Sequence, residues 1–319
     1  LEIYKYSIPV PYFTFNANAY LVVMENKEAI LIDTGPSAPQ ALEILEATLR
    51  EAKVGWDAIR HIFVTHGHYD HFRLAAQIVE LTDALVWIHP ADKQKLTSAL
   101  ANLFFVEPEP AIHFLEKLGV SKTEISRLMR EVGTIEKQTK PLPDYCIRSL
   151  SPGTALKFPG LTINVIHTPG HTPGSCCFYI AENGVVFTGD TLLPEITPNP
   201  IFEISGGESD RSLVKLRESM SYIRRLRAST AYPGHGEPIL SIGPVIDSQF
   251  VHMAERSDQV LRILGDHELS TLSIAQELFP SGGLSETVGY LGWLRFRNRV
   301  RIRRDGGIVY WEQLCGSPS

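Results

Sequence analysis

The spacing of apolar and polar positions changes several times along the chain, and each change predicts an element. AYLVVM (19–24) and AILID (29–33) are short apolar runs that read as strands. PQALEILEATLREA (39–52) places Ala41, Ile44, Leu45 and Leu49 on one helical face. HIFVT (61–65) is a short strand rich in β-branched and aromatic residues. HFRLAAQIVELT (71–82) repeats Phe72, Ala75, Ala76 and Val79 at helical spacing and predicts a single helix. ALVWIHP (84–90) predicts a further strand. Strands that feed helices through short loops define an α/β organisation.

From about residue 91 the texture shifts. SALANLFF (98–105), AIHFLEKLGV (111–120) and EISRLMREVG (124–133) predict short helices, so about 91–146 reads as a helical insertion outside the sheet. Strands resume at ALKF (155–158), LTINVIH (161–167), SCCFYI (175–180) and GVVFTGD (184–190). LLPEITPNPIF (192–202) carries three prolines and reads as a rigid loop. SDRSLVKLRESMSYIRRLR (209–227) predicts a helix with Ser209 and Ser212 in its cap region, and ASTAYPGHGEPI (228–239) a strand ending in a Gly/Pro turn.

Beyond this, 251–266, 269–279 and 284–297 predict three helices, and 299–314 a hairpin turning at Asp305-Gly306-Gly307. Three helices and a hairpin follow the winged-helix order. The expected division is a catalytic domain over 1–245 and a winged-helix-like domain over 246–319, with the boundary between Pro244 and His252.

Composition narrows the partners. The 319 residues are 44% hydrophobic and 21% charged, with a formal net charge of −6, which is ordinary globular composition. That balance does not suggest a chain that binds nucleic acid or membrane through overall positive charge. No apolar run reaches the roughly 18 residues a membrane span needs, and the first residues do not read as a signal peptide. Cys146, Cys176, Cys177 and Cys315 form no CxxC pair and read as reduced thiols of a cytoplasmic protein. Cys176 and Cys177 are adjacent on a strand and should face opposite ways.

The chemistry concentrates in VTHGHYDHF (64–72). His66, His68 and Asp70 share parity on a loop leaving a strand, while His71 breaks it, which suits two adjacent metals better than one closed tetrahedron. More donors lie where other strands meet loops: His171 in HTPGHTPGS, Asp190 in VVFTGD and His235 in AYPGHGEP. The remaining histidines, His61, His89, His113, His167, His252 and His267, read as surface or packing residues.

THGHYDH, TPGHTPGS, FTGD and YPGHG together resemble the metallo-β-lactamase superfamily, most closely its glyoxalase II-like hydrolase branch, over about residues 1–245 apart from the insertion. The resemblance implies a four-layer αβ/βα sandwich with a dinuclear site at one edge. It implies that His66, His68 and His171 hold one metal, that Asp70, His71 and His235 hold the other, and that Asp190 bridges them. Asp33, in LIDTG, matches a position that shapes the site from behind the ligands. Two divalent metal ions are expected, zinc by default, with iron or manganese as alternatives. The chain departs from the pattern after His71, where Phe72, Arg73 and Leu74 replace the usual small residues, and in the long insertion.

The expected enzyme is a hydrolase using a dinuclear-metal hydroxide, with Asp70 and Asp190 as its catalytic carboxylates. No general acid stands out; Tyr69 and Tyr232 are the nearest phenols. A thiolate leaves without strong protonation, so the expected partner is a small-molecule acyl substrate, a thioester or an ester including lactones. The alternatives are an endoribonuclease or phosphodiesterase of the same fold, a persulfide dioxygenase with a single iron, and a non-catalytic binding protein. The tail carries Arg295, Arg297, Arg299, Arg301, Arg303 and Arg304. The N-terminal part of its third helix, where a recognition helix would contact bases, has no Lys or Arg. The tail therefore reads first as structural or as a homodimer contact, then as a clamp for an anion such as a coenzyme A phosphate or an RNA backbone. DNA comes last. The insertion reads either as an extension of the core or as a cap over the metals.

Overall fold

The computed structural model describes residues 1–10, 15–97, 108–136, 140–200, 210–279 and 283–314. The first sheet lines up β1 (Glu2–Pro9), β2 (Asn16–Val23), β3 (Ala29–Ile32), β4 (Ile59–Phe63), β5 (Leu85–Ile88) and β6 (Ile147–Ser149) in chain order. β1 to β3 pair antiparallel and β3 to β6 parallel. The second sheet contains β7 (Ala155–Phe158), β8 (Leu161–His167), β9 (Cys176–Ile180), β10 (Val185–Gly189) and β11 (Thr230–Pro233), ordered β11-β10-β9-β8-β7. Only its β10–β11 pair is parallel.

Alternation along the strands builds the layers. In β2, Ala19, Leu21 and Val23 turn outward to a core shared with α1 (Ala41–Ala52) and α3 (Ala75–Thr82), while Tyr20 and Val22 turn inward. The inward core joins them to Ile30, Ile32, Phe63, Ile163, Val165, Phe178 and Phe187 between the sheets. On the far side Cys177 and Val186 meet α7 (Ser212–Arg225) and α8 (Ile242–Leu264). The result is the αβ/βα sandwich that the resemblance implies. Cys176 and Cys177 do face opposite cores.

Several expectations change in detail. The helix expected over 71–82 is two pieces, α2 (Tyr69–Phe72) and α3. Thr34 donates its N–H to the His71 carbonyl at 2.7 Å and Leu74 donates to Gly35 at 3.2 Å, so bonds that would continue the helix go to the loop after β3. β1 and β6 were not expected, although Tyr4, Tyr6 and Ile8 alternate with Lys5 and Ser7 along β1. The region expected to hold the domain boundary lies inside α8, whose Ile242, Ile246, Gln249, Met253, Val260 and Leu264 form one buried face.

The tail consists of α8, α9 (Thr271–Leu278), α10 (Leu284–Phe296) and a sheet ordered β12 (Leu269–Ser270), β14 (Ile308–Gln313), β13 (Val300–Asp305). Tyr290, Leu291, Leu294 and Trp311 share one core with Leu213, Leu216 and Met220 of α7, so the tail continues the outer layer of the second sheet. α10 is buried on most sides. Of the insertion, α4 (Pro90–Thr97), α5 (Pro108–Lys117) and α6 (Lys122–Glu136) are described. Phe114 and Leu118 pack on Val288 and Leu284, Leu115 and Ile125 on Leu272, and Leu272 donates its N–H to the Leu118 carbonyl at 3.0 Å. In the described residues α5 and α6 dock on the tail. The expected helix 98–105, Ser209 and Cys315 lie outside the described residues. The first amides of α7 meet Asp210, whose Oδ1 accepts the Ser212 N–H at 2.9 Å.

Candidate metal centre

β3, β4, β8, β10 and β11 all end at the same edge of the sandwich, and each delivers one piece of the site. Asp33 follows β3, the 64–72 loop follows β4, His171 sits in the turn between β8 and β9, Asp190 follows β10, and His235 follows β11. The structure brings all seven sequence-predicted donors together. His66, His68 and His171 form one cluster, Asp70, His71 and His235 a second, and Asp190 joins His66 and His71 in a third group; the donor atoms within each lie within 4.8 Å of one another.

In the first cluster Nδ1 of His68 lies 2.9 Å from Nε2 of His66 and 2.8 Å from Nε2 of His171. In the second, Nε2 of His235 and Nε2 of His71 lie 3.5 and 3.7 Å from Oδ2 of Asp70. Asp190 faces both clusters: its Oδ2 is 3.5 Å from His171 and 3.4 Å from His235, and its Oδ1 is 3.6 Å from His71.

The outward ring nitrogens of His66, His71, His171 and His235 are also engaged, which sets their tautomers and aims the rings. His71 Nδ1 donates to Asp33 Oδ2 at 3.0 Å, His171 Nδ1 to the Asn199 carbonyl at 2.8 Å, and His235 Nδ1 to the Asn16 carbonyl at 2.7 Å. Thr65 donates its Oγ1 hydrogen to Asp33 Oδ2 at 2.8 Å, so Thr65 Oγ1 accepts from His66 Nδ1 at 3.0 Å. Asp33 therefore orients one histidine of each cluster, directly for His71 and through Thr65 for His66. It sits at φ +56, in the left-handed region that Asp tolerates better than most side chains.

The donors fit a cation. Asp190 Oδ1 and His71 Nε2 are buried without a hydrogen-bond partner, yet they face one another. Buried polar atoms are nearly always partnered, and an ion between them would satisfy both. A Cβ on Gly234 would come within 2.2 Å of that oxygen and 2.7 Å of the His71 ring, so only glycine keeps the space open. The chain in front of His235 is held by Asn18, whose side-chain amide donates to the Pro233 and Gly236 carbonyls at 3.1 and 2.7 Å.

The clusters differ electrostatically. Burial, with help from neighbouring imidazoles, holds His66 and His68 well below the usual histidine range; burial also lowers His171, against the pull of Asp190. His71 is equally buried, but Asp70, Asp190 and Asp33 overcome that and lift it to about 9. For His235 burial is likewise outweighed, chiefly by Asp190, and it rises to about 11. Asp190 is pulled well below the carboxylate range by His235 and His71 despite its burial.

The loop after Asp190 forms a wall between the clusters and the tail. Gln249 on α8 donates both amide hydrogens to it, to the Leu193 and Ile196 carbonyls at 3.0 Å each. Gly289 of α10 lies so close to Pro200 that a Cβ would come within 2.5 Å of its ring. Among the phenols, Tyr232 packs between Tyr20 and Phe187. Tyr69 lies under the Arg73 guanidinium, 5.2 Å from ring centre to carbon. Half-buried His61 accepts the Trp87 indole N–H at 3.1 Å, and His89 stacks on His167 at 4.3 Å.

Comparison with known proteins gives the same assignment. Residues 12–235 match the model of the metallo-beta-lactamase superfamily, so the chain belongs to that superfamily. It is 26% identical to the probable metallo-hydrolase YqjP of Bacillus subtilis over 96% of both chains. It is 24% identical to thioesterase pkgB of Emericella nidulans, across 95% of this chain and 72% of that one. A crystal structure of the metallo-beta-lactamase family protein TTHA1429 from Thermus thermophilus superposes with a TM-score of 0.81 at 26% identity, covering 98% of each chain.

Proposed function

We propose that the chain is a metallohydrolase of acyl thioesters that works with two divalent ions, zinc by default, and stands near the glyoxalase II-like branch. The observation that carries the thioester reading is the set of thioesterase relatives. Besides pkgB, an atrochrysone carboxyl ACP thioesterase of Emericella nidulans aligns at 23% identity with 92% of this chain and 76% of its own length. The donor geometry supports hydrolysis as the reaction type.

Divalent ions held by the two clusters would supply a Lewis acid and a water deprotonated near neutral pH. The chain's own contribution is orientation. Asp190 and Asp70, kept ionised by the surrounding imidazoles, aim carboxylate oxygens into the centre. His66 and His171 present Nε2 and His68 presents Nδ1 on one side, while His71 and His235 present Nε2 on the other. Thioester cleavage suits this arrangement because a thiolate leaves without a strong acid beside it.

The arginine tail gives less support to RNA. Arg301 pairs with Glu312, and Arg303 with Glu268 and Asp305, so part of its charge is neutralised within the chain. The test is release of free thiol from simple acyl thioesters by zinc-loaded protein, with Asp190→Ala beside it. Turnover that disappears in the variant supports the reading. Zinc-loaded protein that leaves every thioester intact while hydrolysing a lactone or RNA contradicts it.

A further inference from the structure

The two loops that carry the first cluster are tied together by a carboxylate belonging to neither. Asp92 lies in the first turn of α4, a mostly polar helix, and is completely buried. Its Oδ2 accepts the Gly67 N–H at 2.8 Å and the Thr172 hydroxyl at 2.6 Å. Gly67 stands between His66 and His68, and Thr172 follows His171. Lys95, one turn on, places Nζ 3.3 Å from Oδ1 and balances the charge. Ser175 holds the Thr172 loop from the other side, its Oγ 2.8 Å from the Thr172 Oγ1.

Both loops press on this side chain. A Cβ on Gly174 would come within 2.6 Å of Asp92 Cγ, and one on Gly67 within 3.1 Å of Asp92 Cβ. The second cluster is held by other groups: His71 by Asp33 and Thr34, His235 by Asn16. Burying a carboxylate is costly even when it is paired, and a packed apolar residue would often serve stability as well. Its use here therefore needs a geometric reason.

We propose that Asp92 is a positioning residue for the first metal site, setting the distance between the His66–His68 loop and His171 and so the affinity of that site alone. The inference rests on the metal reading of the two clusters. Asp92 touches no donor nitrogen; it acts through Gly67 and Thr172.

The test is zinc titration of the full chain against a chromophoric chelator, for wild type, Asp92→Asn and Thr172→Val. Asp92→Asn keeps shape and one acceptor oxygen; Thr172→Val removes the hydroxyl that bonds Asp92 and Ser175 while leaving Asp92 in place. Wild type should bind two ions. In each variant one ion should weaken roughly 10- to 100-fold, the usual effect of losing a group that orients a ligand, while the other keeps its affinity. Equal weakening of both ions, or of neither, overturns the proposal. Circular dichroism of the metal-free proteins checks folding, and Thr172→Val decides if Asp92→Asn does not fold. Fewer than two ions on the wild type would defeat the dinuclear reading, and this site-selective claim with it, before any variant is compared.

Discussion

The two clusters sit side by side and share Asp190, yet their chemistry differs. The first is three imidazoles that burial keeps neutral. The second contains Asp70 and two histidines that nearby carboxylates hold protonated to about pH 9 and about pH 11 when no ion is bound. An ion entering the first cluster displaces few protons; one entering the second must displace them. The difference comes from position. His71 and His235 face carboxylates on more than one side, whereas His66 and His68 mostly face other imidazoles.

Substitutions can break this contrast, beginning with the residue both halves share. Asp190→Ala should lower thioester turnover by roughly 10³-fold or more, since ions held by the two clusters it faces would supply several kcal/mol of charge stabilisation. Steady-state kinetics of the zinc-loaded variant reads this directly. Asp33→Ala should weaken both ions roughly 10- to 100-fold, because it orients His71 directly and His66 through Thr65. Chelator competition would show both affinities falling, in contrast to the single loss expected at Asp92.

Acidity offers a way to sharpen the contrast. His71 and His235 bind protons more tightly in the folded chain than their ordinary value of 6.5. Their stabilisation of the metal-free fold is therefore complete below about pH 6.5 and is lost as pH rises through about 9 and then about 11. Thermal unfolding of metal-free protein should show stability falling over that window. His235→Gln should remove the decline above about pH 9 and roughly halve its slope below that, where His71 alone remains.

The smallest effect is expected from the tail. Gln249→Leu leaves the Leu193 and Ile196 carbonyls without their donor and should cost about 1–3 kcal/mol of stability. It should also loosen the loop whose Asn199 carbonyl holds His171, with a loss of turnover of only a few-fold.

Much of this site was legible in the sequence, because histidines and aspartates at strand ends announce themselves wherever Gly and Pro mark the turns. All seven donors converge as expected, and Asp33 lies behind them. What was not legible depends on partners distant in the chain. Asp92 is one acid in a polar helix, and nothing local says that it buries itself between residues 67 and 172. The break between α2 and α3 was hidden because the apolar period continues through Leu74; it is the loop after β3 that takes the His71 carbonyl. The docking of α5 and α6 on the tail joins segments some 150 residues apart. The exception is β1, whose alternation of Tyr4, Tyr6 and Ile8 with Lys5 and Ser7 was open to view.

The measurement that bears most directly on the two-cluster account is calorimetric titration of metal-free protein with zinc at pH 7.5, repeated in buffers of different ionisation enthalpy. The account predicts two binding events: one displacing no histidine protons, as His66, His68 and His171 fill, and one releasing more protons, because His71 and His235 must give theirs up. A single binding event, or two events with equal proton release, would contradict it.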